Sequence, residues 1–162
     1  MEVASRILRV MSRAESFQPL PPDKHARWSK FAKWDTPYFP KFMGLELEEV
    51  RRDYARMRLA YRPEFLQPAG VWHGGVIATM LDTVVVPAVG SAYDEMRALF
   101  TIDIALRYLA PLKPDEDAVA EGWITQRGSS IVFCDAEVQS ASGTVCATAT
   151  LTYKVSKRTA NY

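Results

Sequence analysis

The chain has 162 residues, 48% of them hydrophobic and 24% charged, with a formal net charge of +1. That is enough for one domain with its own core and no staples, and too near neutrality to bind nucleic acid by bulk charge. No apolar run approaches the roughly eighteen residues of a membrane span, and Cys134 and Cys146 have neither CxxC spacing nor a nearby histidine to complete a zinc set.

Residues 2 to 15 place Val3, Ile7, Val10, Met11 and Ala14 at helical spacing with arginines opposite, which predicts an amphipathic helix. The charges at Glu2, Arg6, Arg9 and Arg13 interrupt its apolar residues. A secretory signal needs a continuous apolar stretch, so a cytoplasmic protein is expected; Glu2, Glu15 and the lack of serine enrichment weigh against a transit peptide. Pro19, Pro21 and Pro22 then break any helix. A second short helix is expected from Asp23, as N-cap, through Trp28 and Phe31, followed by an aromatic-rich loop from Trp34 to Phe42.

From Met43 the texture changes to alternation. Leu45 and Leu47, a charged turn at Arg51-Arg52-Asp53, then Ala55, Met57 and Leu59 predict a hairpin with one buried face. A helix follows from His73 to about Val89, apolar nearly all round, with Pro87 expected to bend or end it near Val84 to Val86. Four further strands are read at Phe100–Leu109, Ala118–Arg127, Ile131–Gln139 and Thr144–Val155. Two strands, one long helix and four strands make an α+β pattern: an antiparallel sheet of five or six strands curled around a central helix.

The chemistry concentrates in QPAGVWHGGVIATMLD, residues 67–82. A helix entered through His73-Gly74-Gly75 has bare amides in its first turn, and the glycines let a ligand approach the backbone; this is the physics of an oxyanion hole. Asp82 sits among Met80, Leu81, Val84 and Val85, where a carboxylate is costly unless paired, solvated or catalytic. Nine residues of helix separate His73 from Asp82 by about 13 Å, too far to serve one reacting atom. A second copy packed antiparallel across a dimer axis closes that gap and forms two identical sites.

His73-Gly74-Gly75 with Asp82, the run Thr101-Ile102-Asp103-Ile104-Ala105-Leu106-Arg107-Tyr108-Leu109-Ala110-Pro111 and the Gly128 turn resemble the hot-dog-fold thioesterases of the phenylacetic-acid-degradation (PaaI) type, over roughly residues 43 to 155. The resemblance implies an N-terminal helical extension over 1–42, a hot-dog thioesterase domain over 43–155 and a tail over 156–162. It implies hydrolysis of an acyl-CoA to coenzyme A and a carboxylic acid, without cofactor or metal, in a homodimer or homotetramer whose site lies at the subunit interface. The Gly74 amide would polarise the thioester carbonyl, and Asp82 of the other subunit would act as general base or as nucleophile. Thr101 would hold the attacking water or the carboxylate, while His73 would position the thioester end. Gly75 and Trp72 would line the substrate, and Arg127, Gly128 and Ser129 would meet the phosphates of the coenzyme A arm.

One departure stands out. Many relatives have asparagine six residues before the histidine, where this chain has Gln67, an amide carried outward by one methylene. Two rival readings follow: a non-catalytic acyl-CoA binding protein in which Gln67 marks a decayed site, and a hot-dog hydratase or dehydratase, for which a histidine beside Asp82 would be needed and none lies near it in sequence.

Overall fold

The computed structural model describes residues 13–160, so the helix expected over residues 2 to 15 lies, up to residue 12, outside the described residues. Arg13–Ser16 forms one 3-10 turn. Helix α1 (Pro22–Trp28) uses Pro22 at its first position, where the missing N–H costs nothing, so Asp23 sits inside the first turn rather than capping it. It stops at Trp28, short of Phe31, and Ala32 adopts a left-handed φ of 62°. The stretch read as loop contains a short helix, α2 (Phe39–Met43), with Pro40 in its first turn and closed by Gly44 at φ 81°.

The sheet follows the alternation closely. Its strands are β1 (Leu45–Arg51), β2 (Tyr54–Leu59), β3 (Arg97–Tyr108), β4 (Ala118–Arg127), β5 (Ile131–Ser140) and β6 (Val145–Thr159), with α3 (Gly74–Gly90) between β2 and β3. All pairings are antiparallel, in the order β1-β2-β4-β5-β6-β3. The sheet wraps α3, which rests mainly on β4, β2 and β5. Small residues on the inner face, Ala118, Ala120, Gly122 and Ala136, allow that approach: a Cβ on Gly122 would lie 2.7 Å from a Val85 methyl carbon.

Helix α3 does not end at Pro87. It runs on to Gly90, and the Ser91 amide closes it on the Pro87 carbonyl at 2.8 Å. Proline removes one hydrogen bond, but Val84, Val85, Ala88 and Val89 are fully buried around it, and that packing outweighs the local loss. Among the described residues no helix is long and apolar enough to cross a membrane.

The two edges of the sheet differ. β1 is partly covered, through a bridge between Pro19 and Arg51 and contacts from α1 and α2. The outer edge of β3 pairs with no strand among the described residues, and Phe100, Ile102 and Tyr108 on it are each more than half exposed.

Candidate active site

At the entry of α3 the chain turns on His73, whose φ and ψ of −67° and 133° are extended. Its Nδ1 accepts the Gly75 amide at 2.9 Å, which fixes the ring with its proton on Nε2 and makes His73 an N-cap by side chain. The carbonyl of the same Gly74–Gly75 peptide accepts the Tyr108 hydroxyl at 2.8 Å. One peptide unit is thus held at both ends, and the Gly74 N–H before it has no partner among the described residues. A Cβ on Gly74 would stand 2.8 Å from the Tyr108 hydroxyl, so glycine is required for this closeness. Gln67, Trp72, Gly74 and Tyr108 line one cavity of about 450 Å³. Trp72 is buried and donates its indole N–H to the Lys113 carbonyl at 3.1 Å; the Gln67 backbone closes a tight loop with Val71 and Gly70.

Asp82 lies eight residues on, about 12 Å along the helix, and faces β3 and β6. Thr101 and Tyr153 are register partners on those strands, and both reach the same carboxylate oxygen. Thr101 donates to Oδ1 at 2.8 Å and Tyr153 at 2.6 Å. Two hydroxyl donors compensate a carboxylate in an apolar wall, and Oδ2 stays without a partner among the described residues. The Tyr153 phenol is pushed well up from its ordinary value, first by burial and then by the Asp82 charge beside it, so it stays a neutral donor. A register irregularity lies immediately after Thr101, between Thr101 and Asp103, the kind of feature that bends a strand locally.

Asp82, Thr101 and Tyr153 border a second cavity, of about 370 Å³, whose other walls include Trp28, Phe31, Trp34 and Tyr38. Within one chain the structure therefore sorts the expected residues into two places: Gln67, Trp72, His73, Gly74 and Gly75 at the mouth of α3, Asp82 with Thr101 at its middle. Arg127 joins neither. Its guanidinium is paired with Asp53 at 2.5 Å and donates to the Tyr93 hydroxyl at 3.0 Å. Gly128 and Ser129 are exposed in the β4–β5 turn, where Gly128 donates to the Ile131 carbonyl. Sequence reasoning missed Tyr108, Tyr153 and the aromatic wall. Tyr153 stood in phase with the buried face of β6, which signals core rather than chemistry.

The family model described as Thioesterase superfamily matches residues 69–147. A Saccharolobus solfataricus protein provisionally described as an esterase is 25% identical over 118 residues, 73% of this chain and 77% of that one. Among solved structures, the E. coli PaaI protein from the phenylacetic acid degradation operon superposes with a TM-score of 0.75 at 16% identity, over 85% of this chain and 96% of that one. A Streptococcus mutans protein solved bound to acetyl CoA superposes with a TM-score of 0.66 at 19% identity, over 72% and 91% of the two chains. Matched in sequence over residues 69–147 and in fold over most of its length, the chain has the hot-dog fold and is similar in sequence to the thioesterase superfamily.

Proposed function

We propose that the protein hydrolyses acyl-CoA thioesters at a site completed by two copies of the chain, the Gly74 amide of one facing Asp82 of the other. The observation that carries this is the division of the site: a preset, unpartnered amide and a hydroxyl-supported carboxylate lie about 12 Å apart on one helix. One copy cannot bring both to one carbonyl carbon. The bare β3 edge, with Phe100 and Ile102 exposed on it, is the surface on which a second copy would continue the sheet. The acetyl CoA bound to the Streptococcus mutans relative supports this ligand class for the fold.

In this reading the Gly74 N–H takes the charge that develops on the thioester oxygen. Asp82 Oδ2 removes a proton from water, the water oxygen bonds to the carbonyl carbon, and the carbon–sulfur bond breaks. The proton passes to the leaving thiolate, giving coenzyme A and the carboxylic acid. Thr101 and Tyr153 occupy Oδ1 and so present Oδ2 to water. Single turnover in H₂¹⁸O distinguishes base from nucleophile: the base route puts one ¹⁸O in the acid, whereas an acyl–Asp82 anhydride opened at the aspartyl carbon leaves the acid unlabelled.

The first test is thiol release from short, medium, long and aromatic acyl-CoAs by wild type and Asp82→Asn. Turnover that collapses in the variant is expected. Absence of turnover on every member would leave an acyl-CoA binding protein, with Gln67→Asn as the next variant.

A further inference from the structure

We infer that the segment from Trp28 to Pro40 builds the acyl-binding pocket of this site, and that the pocket takes an uncharged, apolar acyl group of intermediate size. The inference rests on the hydrolytic reading for its geometry, and it concerns residues outside the matched span 69–147.

The cavity beside Asp82 has a polar corner where Asp82, Thr101 and Tyr153 meet. The same cavity is lined by a run of aromatic rings from α1 and the chain after it. Phe31 meets Trp34 edge-on with ring centres 4.9 Å apart, and Trp34 meets Tyr38 edge-on at 5.7 Å. Trp28, Phe31 and Trp34 thus form a wall whose rings brace one another, and Trp28 is held in turn against Gly90, where a Cβ would come 2.2 Å from its ring. Helix α3 supplies Val86 to the cavity, and β3 supplies Leu99.

Charge and size set the ligand class. Among the described residues no lysine, arginine or histidine lines the cavity, and the one charged group there is the Asp82 carboxylate. An acyl chain ending in a carboxylate would be desolvated there without a cation and repelled by Asp82. The volume of about 370 Å³ lies at the small end of ligand pockets, and at about 30 Å³ per non-hydrogen atom it holds about a dozen such atoms. An acetyl group leaves most of that space unfilled, an octanoyl group fills most of it, and a palmitoyl group leaves several methylenes outside.

The test compares kcat/KM for acetyl-, octanoyl-, adipyl- and palmitoyl-CoA. Octanoyl-CoA is expected to exceed acetyl- and adipyl-CoA by at least about tenfold, since each buried methylene favours binding severalfold, and palmitoyl-CoA is expected to fall below octanoyl-CoA. In Trp34→Ala the octanoyl-to-acetyl ratio should drop about tenfold. Val86→Phe, which fills the cavity while sparing the aromatic wall, should lower the same ratio and guards against a folding defect in the first variant. Hydrolysis with an unchanged ratio in both folded variants would overturn the pocket and leave the hydrolytic reading standing. If no acyl-CoA is turned over, the hydrolytic reading falls and calorimetry decides the pocket. Octanoyl-CoA binding tighter than free coenzyme A, with the difference lost in Trp34→Ala, supports it; equal affinities overturn it.

Discussion

The first turn of α3 and its middle hold their functional groups by opposite means. At the first turn the group is a backbone amide, set by two hydrogen bonds to a neighbouring peptide, from the Tyr108 hydroxyl and to His73 Nδ1. In the middle it is a side-chain carboxylate, half-buried, supported by Thr101 and Tyr153 beside an aromatic wall. A neutral donor needs only orientation. A charge needs compensation for lost water before it can be oriented at all. Damage at the two places should therefore differ in size and in kind.

The largest effects remove the groups themselves. Asp82→Asn is expected to lower kcat about a thousandfold, the range for loss of a general base. Gly74→Val brings a side chain against the Tyr108 hydroxyl, 2.8 Å from the Cβ position, and covers the amide; a loss of about a hundredfold to a thousandfold is expected, as for an oxyanion donor. Mixing them sharpens the comparison most. In a randomly assorted dimer of the two variants, half the molecules are hybrids, and each hybrid has one intact Gly74–Asp82 pair, so about a quarter of wild-type activity should return. No recovery from the mixture would mean that one chain carries the whole site.

How far the two places were legible in the sequence differs in the same way. The first turn announces itself locally: His73-Gly74-Gly75 before an apolar run states a helix entry with open amides, and the alternation around it laid out β4 to the residue and the other strands to within a few. Asp82 was conspicuous as a charge in an apolar stretch, and Thr101 came with the family pattern. The supports of Asp82 were not legible, because the contact between Asp82 and Tyr153 is set by the β3–β6 register across 71 residues of sequence. Trp28, Phe31 and Trp34 read as ordinary core aromatics, since nothing local shows that they line the cavity beside Asp82. Pro87 misled for the opposite reason: its local preference was clear, and burial overrode it.

Tyr153→Phe comes next in size. It removes a buried donor to a charged oxygen, an interaction typically contributing about 1.5–3 kcal/mol, so activity should fall about tenfold to a hundredfold. Thr101→Ala removes a more exposed donor to the same oxygen and should cost less, about tenfold or below. Equal losses from the two would break the claim that burial governs this end of the site.

Burial also fixes a pH response. Cys134 is pushed up to about 12 by desolvation, and Tyr153 is raised by burial and by Asp82. Both groups keep their protons in the folded chain where the unfolded chain releases them, so the unfolded state binds fewer protons and stability falls as pH rises. The contribution is complete below about pH 8.5, where an unfolded thiol begins to ionise, and declines through pH 10, where an unfolded phenol follows. Thermal melts between pH 7 and 11 check this. A variant with Cys134 and Cys146 both changed to alanine should show a shallower decline from about pH 8.5 than wild type, because Cys146 is also raised by burial.

The smallest expected effect lies at the first turn. Tyr108→Phe keeps the ring over Gly74 and deletes only the hydroxyl that donates to its carbonyl. The tyrosine is about half exposed, at 53%, so water can replace that donor, and a net contribution of about 1 kcal/mol corresponds to about a fivefold loss. Because His73 still holds the other end of the same peptide, the amide should tilt rather than turn away. The loss should appear in kcat, equally for acetyl- and octanoyl-CoA, with the thermal midpoint lowered by no more than about 4 °C. A change in the ratio between those substrates would tie Tyr108 to the acyl group instead, and would remove the distinction between a backbone-built first turn and a side-chain-built middle.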